Sequence, residues 1–328
     1  MGECNVKKFI AAAGAGVLAV SLTSAAFAEN LEYSAGQLGG GWYTMSSGIA
    51  KIIMEEYPDL NIKVVPGGGT ANPSKIQNGK SQMAMGLDIF TFAARNGKGI
   101  YKDKPHDKLM MIGQSFSNNY FHFIRGKGEP LDLKGLLTEG KDINMAVTKR
   151  GSSDEMTFRY VMEHFGTSYD DLREKRGFKI NQGNYSEMAS QFKDGQVDYV
   201  FFTLGIPGAA AIDMFKGRDA ELLSWTDELA QAMQKSYGYG IGKFPTDTYP
   251  DTQIGNPQTI IMGTTLMISS DVSEDAVYKI TKAICKNQAK LPSVHQSMKA
   301  YDCKTAAKAP PAPIHPGAVK YYKEMGYM

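Results

Sequence analysis

The sequence predicts an α/β protein, and three observations carry that prediction. Short apolar runs of β type alternate with segments of helical periodicity along most of the chain. Glycine clusters sit where the predicted strands pass into the predicted helices. A mostly apolar and aromatic segment at 110–125 lacks helical spacing and is long enough to carry the chain from one lobe to another. Strands alternating with helices indicate βαβ units and a largely parallel sheet.

The elements follow in order from the N-terminus. Lys7 and Lys8 precede a short apolar run, and Ala26-Phe27-Ala28 closes the segment. A charged stub, an apolar stretch too short to span a bilayer and an A-x-A site together predict a secretory signal peptide, cleaved after Ala28. Cys4 lies ahead of the apolar run, not at the cleavage point where a lipoprotein cysteine sits. The first predicted strand is 31–34, followed by a glycine loop and a helix with Met45, Ile49, Ile52 and Ile53 on one face. A strand at 61–65 leads through Gly67-Gly68-Gly69 into a short helix ending near Gly79. A third copy runs from 143–147 through Arg150-Gly151-Ser152-Ser153 into a helix bearing Phe158, Val161, Met162 and Phe165. Strands at 178–181 and 197–202 bracket a helix around Met188 and Phe192. With one crossing at 110–125 and a return at 220–225, residues 29–118 and 224–328 form lobe one and residues 119–223 form lobe two. The proline-rich stretch 308–316 reads as a tether before a last helix at 317–325.

Composition narrows the function. Loss of Lys7, Lys8 and Glu3 with the leader takes the formal net charge from +2 to +1. A nearly neutral chain has no electrostatic footprint for nucleic acid or an anionic membrane. The mature cysteines, Cys285 and Cys303, suit a disulfide in an oxidising compartment, but spacing alone leaves open whether they meet. His106, His122, His164, His295 and His315 are scattered, without H-E-x-x-H or C-x-x-C spacing. No G-x-S-x-G elbow, P-loop or G-x-G-x-x-G fingerprint appears. Neither a metal nor a cofactor is expected, and binding is favoured over catalysis.

The chemistry concentrates at three strand-to-helix corners: Gly39-Gly40-Gly41, Gly67-Gly68-Gly69-Thr70 and Gly151-Ser152-Ser153. A helix N-terminus presents free N–H groups and partial positive charge, which favour an anion. Any one corner is equally well read as a tight turn; three together point to a carboxylate site. Ser152 with Glu155 also fits a capping box, and that structural role is compatible with ligand contact. Arg150 is a candidate for bidentate carboxylate recognition, a rim arginine being the alternative. Two aromatics follow the first corner, where Trp42 and Tyr43 are placed to wall a pocket.

These residues carry a family likeness. The stretch Ser34-Ala35-Gly36-Gln37-Leu38-Gly39-Gly40-Gly41-Trp42-Tyr43 resembles the T-G-G-x-x-G-x-Y-Y corner of the TAXI-type solute-binding proteins of tripartite (TRAP) transporters. Val65-Pro66-Gly67-Gly68-Gly69-Thr70-Ala71-Asn72 resembles their T-G-G-S-x-x-N loop. Residues 192–202, followed by Gly205-Ile206-Pro207, are similar to their L-x-x-G-x-x-D-A-x-F-x strand, and 314–322 to their L-H-P-G-A-x-x-Y-Y ending. The resemblance spans nearly the whole mature chain.

It implies a two-lobed, hinged periplasmic binding fold of type II character, with two crossing segments and the ligand between the lobes. It also implies no catalysis, TRAP membrane subunits as partner, and an amino acid or dicarboxylate such as glutamate or 2-oxoglutarate as ligand. By position, the cleft residues would include Gly40, Gly41, Trp42, Tyr43, Thr70, Asn72, His122, Ser152, Ser153 and Thr203; Asp88, the acid kept after the third strand, and Arg150, from the reading of its corner, are further candidate ligand contacts. The chain departs from the pattern at three walls of that pocket. Trp42 replaces tyrosine, Gly86-Leu87-Asp88 keeps only the acid of Q-S-D, and Gly151-Ser152-Ser153-Asp154 replaces G-S-G-T. A same-fold receptor for a sensor or an ABC transporter, or a periplasmic enzyme, are the alternatives.

Overall fold

The computed structural model describes residues 1–2, 29–250 and 255–328. The predicted leader, apart from Met1 and Gly2, lies outside the described residues. Ten strands form one sheet: β1 (Glu29–Ser34), β2 (Leu60–Val65), β3 (Met83–Leu87), β4 (Leu109–Gly126), β5 (Asn144–Thr148), β6 (Lys179–Gly183), β7 (Tyr199–Gly205), β8 (Ala220–Leu222), β9 (Gly240–Lys243) and β10 (Gln258–Ser269). Their spatial order is β2-β1-β3-β10-β4-β7-β5-β6, with β8 beside β4 and β9 beside β10.

The sheet is mixed, which corrects the expectation of a largely parallel one. One end, β2-β1-β3, and the other, β7-β5-β6, are each parallel. Between them β10 and β4 run antiparallel to their neighbours and to each other. The two parallel ends therefore point in opposite directions, and their carboxyl ends meet near the middle of β4. There Leu87 pairs with Thr264 of β10 while Gly205 pairs with Asn119 of β4. In open α/β sheets ligands bind outside the carboxyl ends of strands, and this sheet brings two such edges together.

Strand β4 is the predicted long crossing. The return expected at 220–225 is instead β8, which pairs with the far end of β4; the second long central strand is β10. Three residues of β8 are too few to traverse a sheet, whereas the 12 residues of β10 pair with β3, β4 and β9 in turn.

The helices are α1 (Gly41–Glu56), α2 (Asn72–Gln77), α3 (Asp88–Arg95), α4 (Leu133–Thr138), α5 (Ser153–His164), α6 (Tyr185–Lys193), α7 (Ala209–Gly217), α8 (Asp227–Tyr237), α9 (Glu274–Lys286), α10 (Leu291–Val294) and α11 (Pro316–Glu324). Helix α1 buries the predicted stripe Met45, Ile49, Ile52 and Ile53, and α5 buries Phe158, Val161 and Met162. Strand β7 is buried along its whole length, so both of its faces are core. Phe201 packs with Phe121, Phe158 and Trp225 on one side, and Phe202 stacks on His122 on the other.

Cys285 and Cys303 form a disulfide. The proline-rich stretch is docked rather than a free tether: Met111 donates to Pro313 O and accepts from His315 N, so the segment bridges to β4 just before α11.

Candidate functional site

Helix α1 begins at Gly40, which supplies the extended backbone of an N-cap but no side-chain cap, and no acidic residue lies in the first turn. Helix α5 begins differently. The Ser152 hydroxyl accepts from Glu155 N at 3.2 Å and also bonds Thr148 Oγ1, and Asp154 and Glu155 stand in the first turn. The capping box is half made, because the Glu155 carboxylate turns away to Arg159 at 2.6 Å. Both termini open onto one cavity of about 30 Å³ at the middle of β4. Gly40, Gly41, Trp42, Gly68 and Gly69 line it from one end of the sheet; Ser152, Ser153, Asp154, Tyr185 and Thr203 line it from the other.

The two walls are closed on each other. Ala71 N donates to Gly151 O at 3.2 Å across the gap. A Cβ at Gly68 would come within 2.4 Å of Gly151 O, a backbone atom that cannot swing aside. Glycine at this corner is thus a requirement of contact between the two halves, not only of a turn. Asn72 stiffens the same corner: its Nδ2 donates to Ala35 O and Met85 O at 2.8 Å each, and its Oδ1 accepts from Gly68 N at 3.0 Å.

Among the described residues of the cavity wall, Asp154 is the one carboxylate, and it is buried. Its Oδ2 accepts from Thr203 N and Tyr185 Oη at 2.9 Å each, and its Oδ1 accepts from Ser153 Oγ at 3.0 Å. Burial lifts its pKa to about 6 in spite of these donors. Thr203 is 5% exposed, and its Oγ1 has no hydrogen-bond partner among the described residues. A buried hydroxyl left unpaired is costly, so a group that fills the cavity and satisfies it gains accordingly. Asn119 on β4 completes the floor, held by Thr264 Oγ1 at 2.7 Å, which also accepts from Trp42 Nε1 at 3.2 Å.

Of the predicted residues, Gly40, Gly41, Trp42, Ser152, Ser153 and Thr203 come together around this cavity. The others stand elsewhere. Tyr43 lines an adjoining depression with His295. Thr70 is buried and reaches Ser152 O at 3.5 Å, and Asn72 holds backbone as described. Asp88 starts α3 and accepts from Ile89 N and Gly263 N at 2.8 and 3.0 Å, bordering a separate depression. His122 is wholly buried between Phe202 and Tyr249, with Nε2 at 2.7 Å from the Tyr249 hydroxyl; burial drives its pKa down to about 3. It is a core histidine. Arg150 is exposed and borders an outer depression with Lys75 and Lys149.

Gln37, Leu87, Asn119, Asp154, Tyr185, Leu204 and Gly205 line the cavity without having been singled out as site residues. The signal for Asp154 was present as the acid that ends the altered third corner. Tyr185 and Asn119 belong to elements with no glycine signature, and only the sheet register brings them in.

A closed cavity where two opposed parallel sheet edges meet, between antiparallel central strands, is the architecture of the periplasmic solute-binding proteins. Residues 34–326 match the NMT1-like family, and the chain belongs to it. Solved structures with this fold include the periplasmic binding protein BugD, at 12% identity and a TM-score of 0.54, covering 91% of this chain and 98% of that one. MatC from Rhodopseudomonas palustris, solved with bound malate, matches at 13% identity and a TM-score of 0.54, covering 91% and 97%. No helix among the described residues is long and apolar enough to cross a membrane.

Proposed function

We propose that this protein is an exported solute receptor that closes its two lobes over a small carboxylate and hands it to a TRAP-type membrane transporter. One observation carries the reading: a cavity walled from both ends of the sheet, into which α1 directs an uncapped N-terminus while Thr203 Oγ1 stands buried and unpartnered. Ligand contacts made from both walls favour the closed state, so binding and closure are one equilibrium. The lobes hinge where β4 and β10 lie side by side. The TRAP assignment and the TAXI subtype rest on the four sequence motifs; service to an ABC importer is the alternative, with the same receptor role. The bound compound is released unchanged, without turnover.

Thermal-shift and calorimetric screening against small mono- and dicarboxylates tests the binding reading. Saturating ligand is expected to raise the melting temperature and lower the radius of gyration measured by small-angle scattering. Failure of every carboxylate to bind would overturn it. Mass spectrometry of periplasmic extract is expected to show a chain beginning at Glu29.

A further inference from the structure

The altered third corner puts an acid where a receptor for carboxylates has least use for one. Asp154 forms cavity wall, is 1% exposed, and draws no lysine, arginine or histidine as a partner among the described residues. Its carboxylate accepts from Thr203 N, Tyr185 Oη, the Ser153 hydroxyl and its own backbone N–H, all of them neutral donors, so its charge is hydrogen-bonded but not balanced by a cation. Beside it stands Thr203, a residue of the same cavity wall that is 5% exposed and whose Oγ1 has no hydrogen-bond partner among the described residues. The two helix ends are therefore unequal. The positive end of α5 is already faced by its own acids, whereas that of α1 meets none.

We propose that Asp154 is a specificity-determining residue that receives the ammonium group of the ligand, with Thr203 Oγ1 as its second acceptor. This rests on the solute-binding reading above and adds to it that a carboxylate alone is not sufficient. The ligand is a small zwitterion, its carboxylate on the α1 terminus and its ammonium against Asp154. A carboxylate lacking the amine would meet Asp154 with like charge, whereas an ammonium supplies the positive charge that this wall lacks. At about 30 Å³ the closed cavity is of water size, so the walls must part to admit any such ligand.

The experiment is calorimetry at pH 7.5 with matched pairs that differ by the amine: alanine against propionate, glutamate against glutarate, and the same for intermediate chain lengths. The simple alkylammonium ions are included. In the unaltered protein the amine-bearing member of the best pair is expected to bind at least tenfold tighter, and in Asp154→Asn the ratio should fall to about threefold or less. A ratio near one in the unaltered protein, or one that persists in Asp154→Asn, overturns the selector and leaves the carboxylate reading standing. Binding of alkylammonium ions without any carboxylate overturns that reading and leaves Asp154 in its role. No binding across the panel overturns both.

A second readout needs no variant. Affinity for the amine-bearing member should fall several-fold between pH 7.5 and pH 5, as Asp154 takes up a proton. The titratable groups that face Asp154 are Tyr185 on α6 and Tyr239 after α8, and burial holds both phenols far above that range. His295, against Gly41 on the opposite wall, is kept below its ordinary value by burial. A flat profile over this interval overturns the proposal even if Asp154→Asn does not fold.

Discussion

Helices α1 and α5 start at the same cavity from opposite ends of the sheet, yet their first turns are built for different tasks. The α5 terminus is finished from within the chain. Ser152 caps it, Asp154 and Glu155 face its partial charge, and Asp154 is itself held by Thr203 N and Tyr185. The α1 terminus is left bare, with glycine at the cap and no acid in the first turn. A finished terminus contributes stability to the fold; a bare one with glycine at the cap forgoes only about a few tenths of a kcal/mol and keeps its N–H groups for something else. These two corners look alike in sequence, but of the pair only that of α1 is free of both a side-chain cap and an acid.

The largest expected effect lies at the finished corner. In the folded protein Asp154 has a pKa of about 6, against an ordinary 3.8 when unfolded. The folded state therefore holds this proton more tightly. Its contribution is fully present below pH 3.8 and is lost as pH rises through 6. The shift corresponds to about 3 kcal/mol at neutral pH. Denaturant unfolding of the ligand-free protein should show that loss across the interval, and Asp154→Asn should remove it. An unchanged pH profile in the variant would mean that the carboxylate is well solvated, and the contrast between the corners would fail.

The bare corner is tested by filling it. Tyr43 occupies the first turn of α1, half-buried beside the cavity. Tyr43→Glu adds the acid that α1 lacks, and should weaken a carboxylate ligand by about 0.3–2 kcal/mol while leaving stability level or slightly raised. Tyr43→Gln serves as the uncharged control. Equal losses in the two variants would assign the effect to shape rather than charge.

Much of this was legible before any coordinates. Local pattern reports what neighbours in sequence do, so the strand starts, the buried stripes of α1 and α5, and the glycine corners were all readable. The length of β4 was readable too, because aromatic residues without helical spacing have little else to become. The direction of the sheet was not, since parallel and antiparallel central strands are both apolar. The return through β10 was missed because a three-residue apolar run at β8 and a twelve-residue one both read as strand, and pairing alone tells them apart. His122 and Asp88 look like site residues in a motif, and become core and scaffold once Tyr249 and Gly263 are placed against them. Asp154 runs the other way, its meaning fixed by burial, which no single sequence displays.

A smaller effect sharpens the comparison at Ser152. Its hydroxyl accepts from Glu155 N, so Ser152→Ala should cost about 1 kcal/mol in denaturant unfolding. Position 40, lacking a side-chain cap, has no equivalent bond to lose. No loss at Ser152 would show that the two acids alone satisfy the α5 terminus.

The smallest effect is expected from the most obvious residue. Arg150 precedes the third corner and carries the charge that a carboxylate site calls for, but it is exposed and borders an outer depression with Lys75 and Lys149. Between an exposed charge and a ligand enclosed behind Ser152, water and salt weaken the attraction. Arg150→Ala should therefore cost under about 1 kcal/mol in ligand affinity, a loss of about fivefold at most. The loss should shrink further as the screening length falls from about 10 Å at 0.1 M salt to about 3 Å at 1 M. A buried, paired arginine would behave otherwise, with a loss of about 2–5 kcal/mol that added salt leaves in place. Calorimetry of the variant at both salt concentrations separates the two. The large, salt-independent result would place a guanidinium on the ligand carboxylate, and the bare terminus of α1 would no longer be the main anion seat.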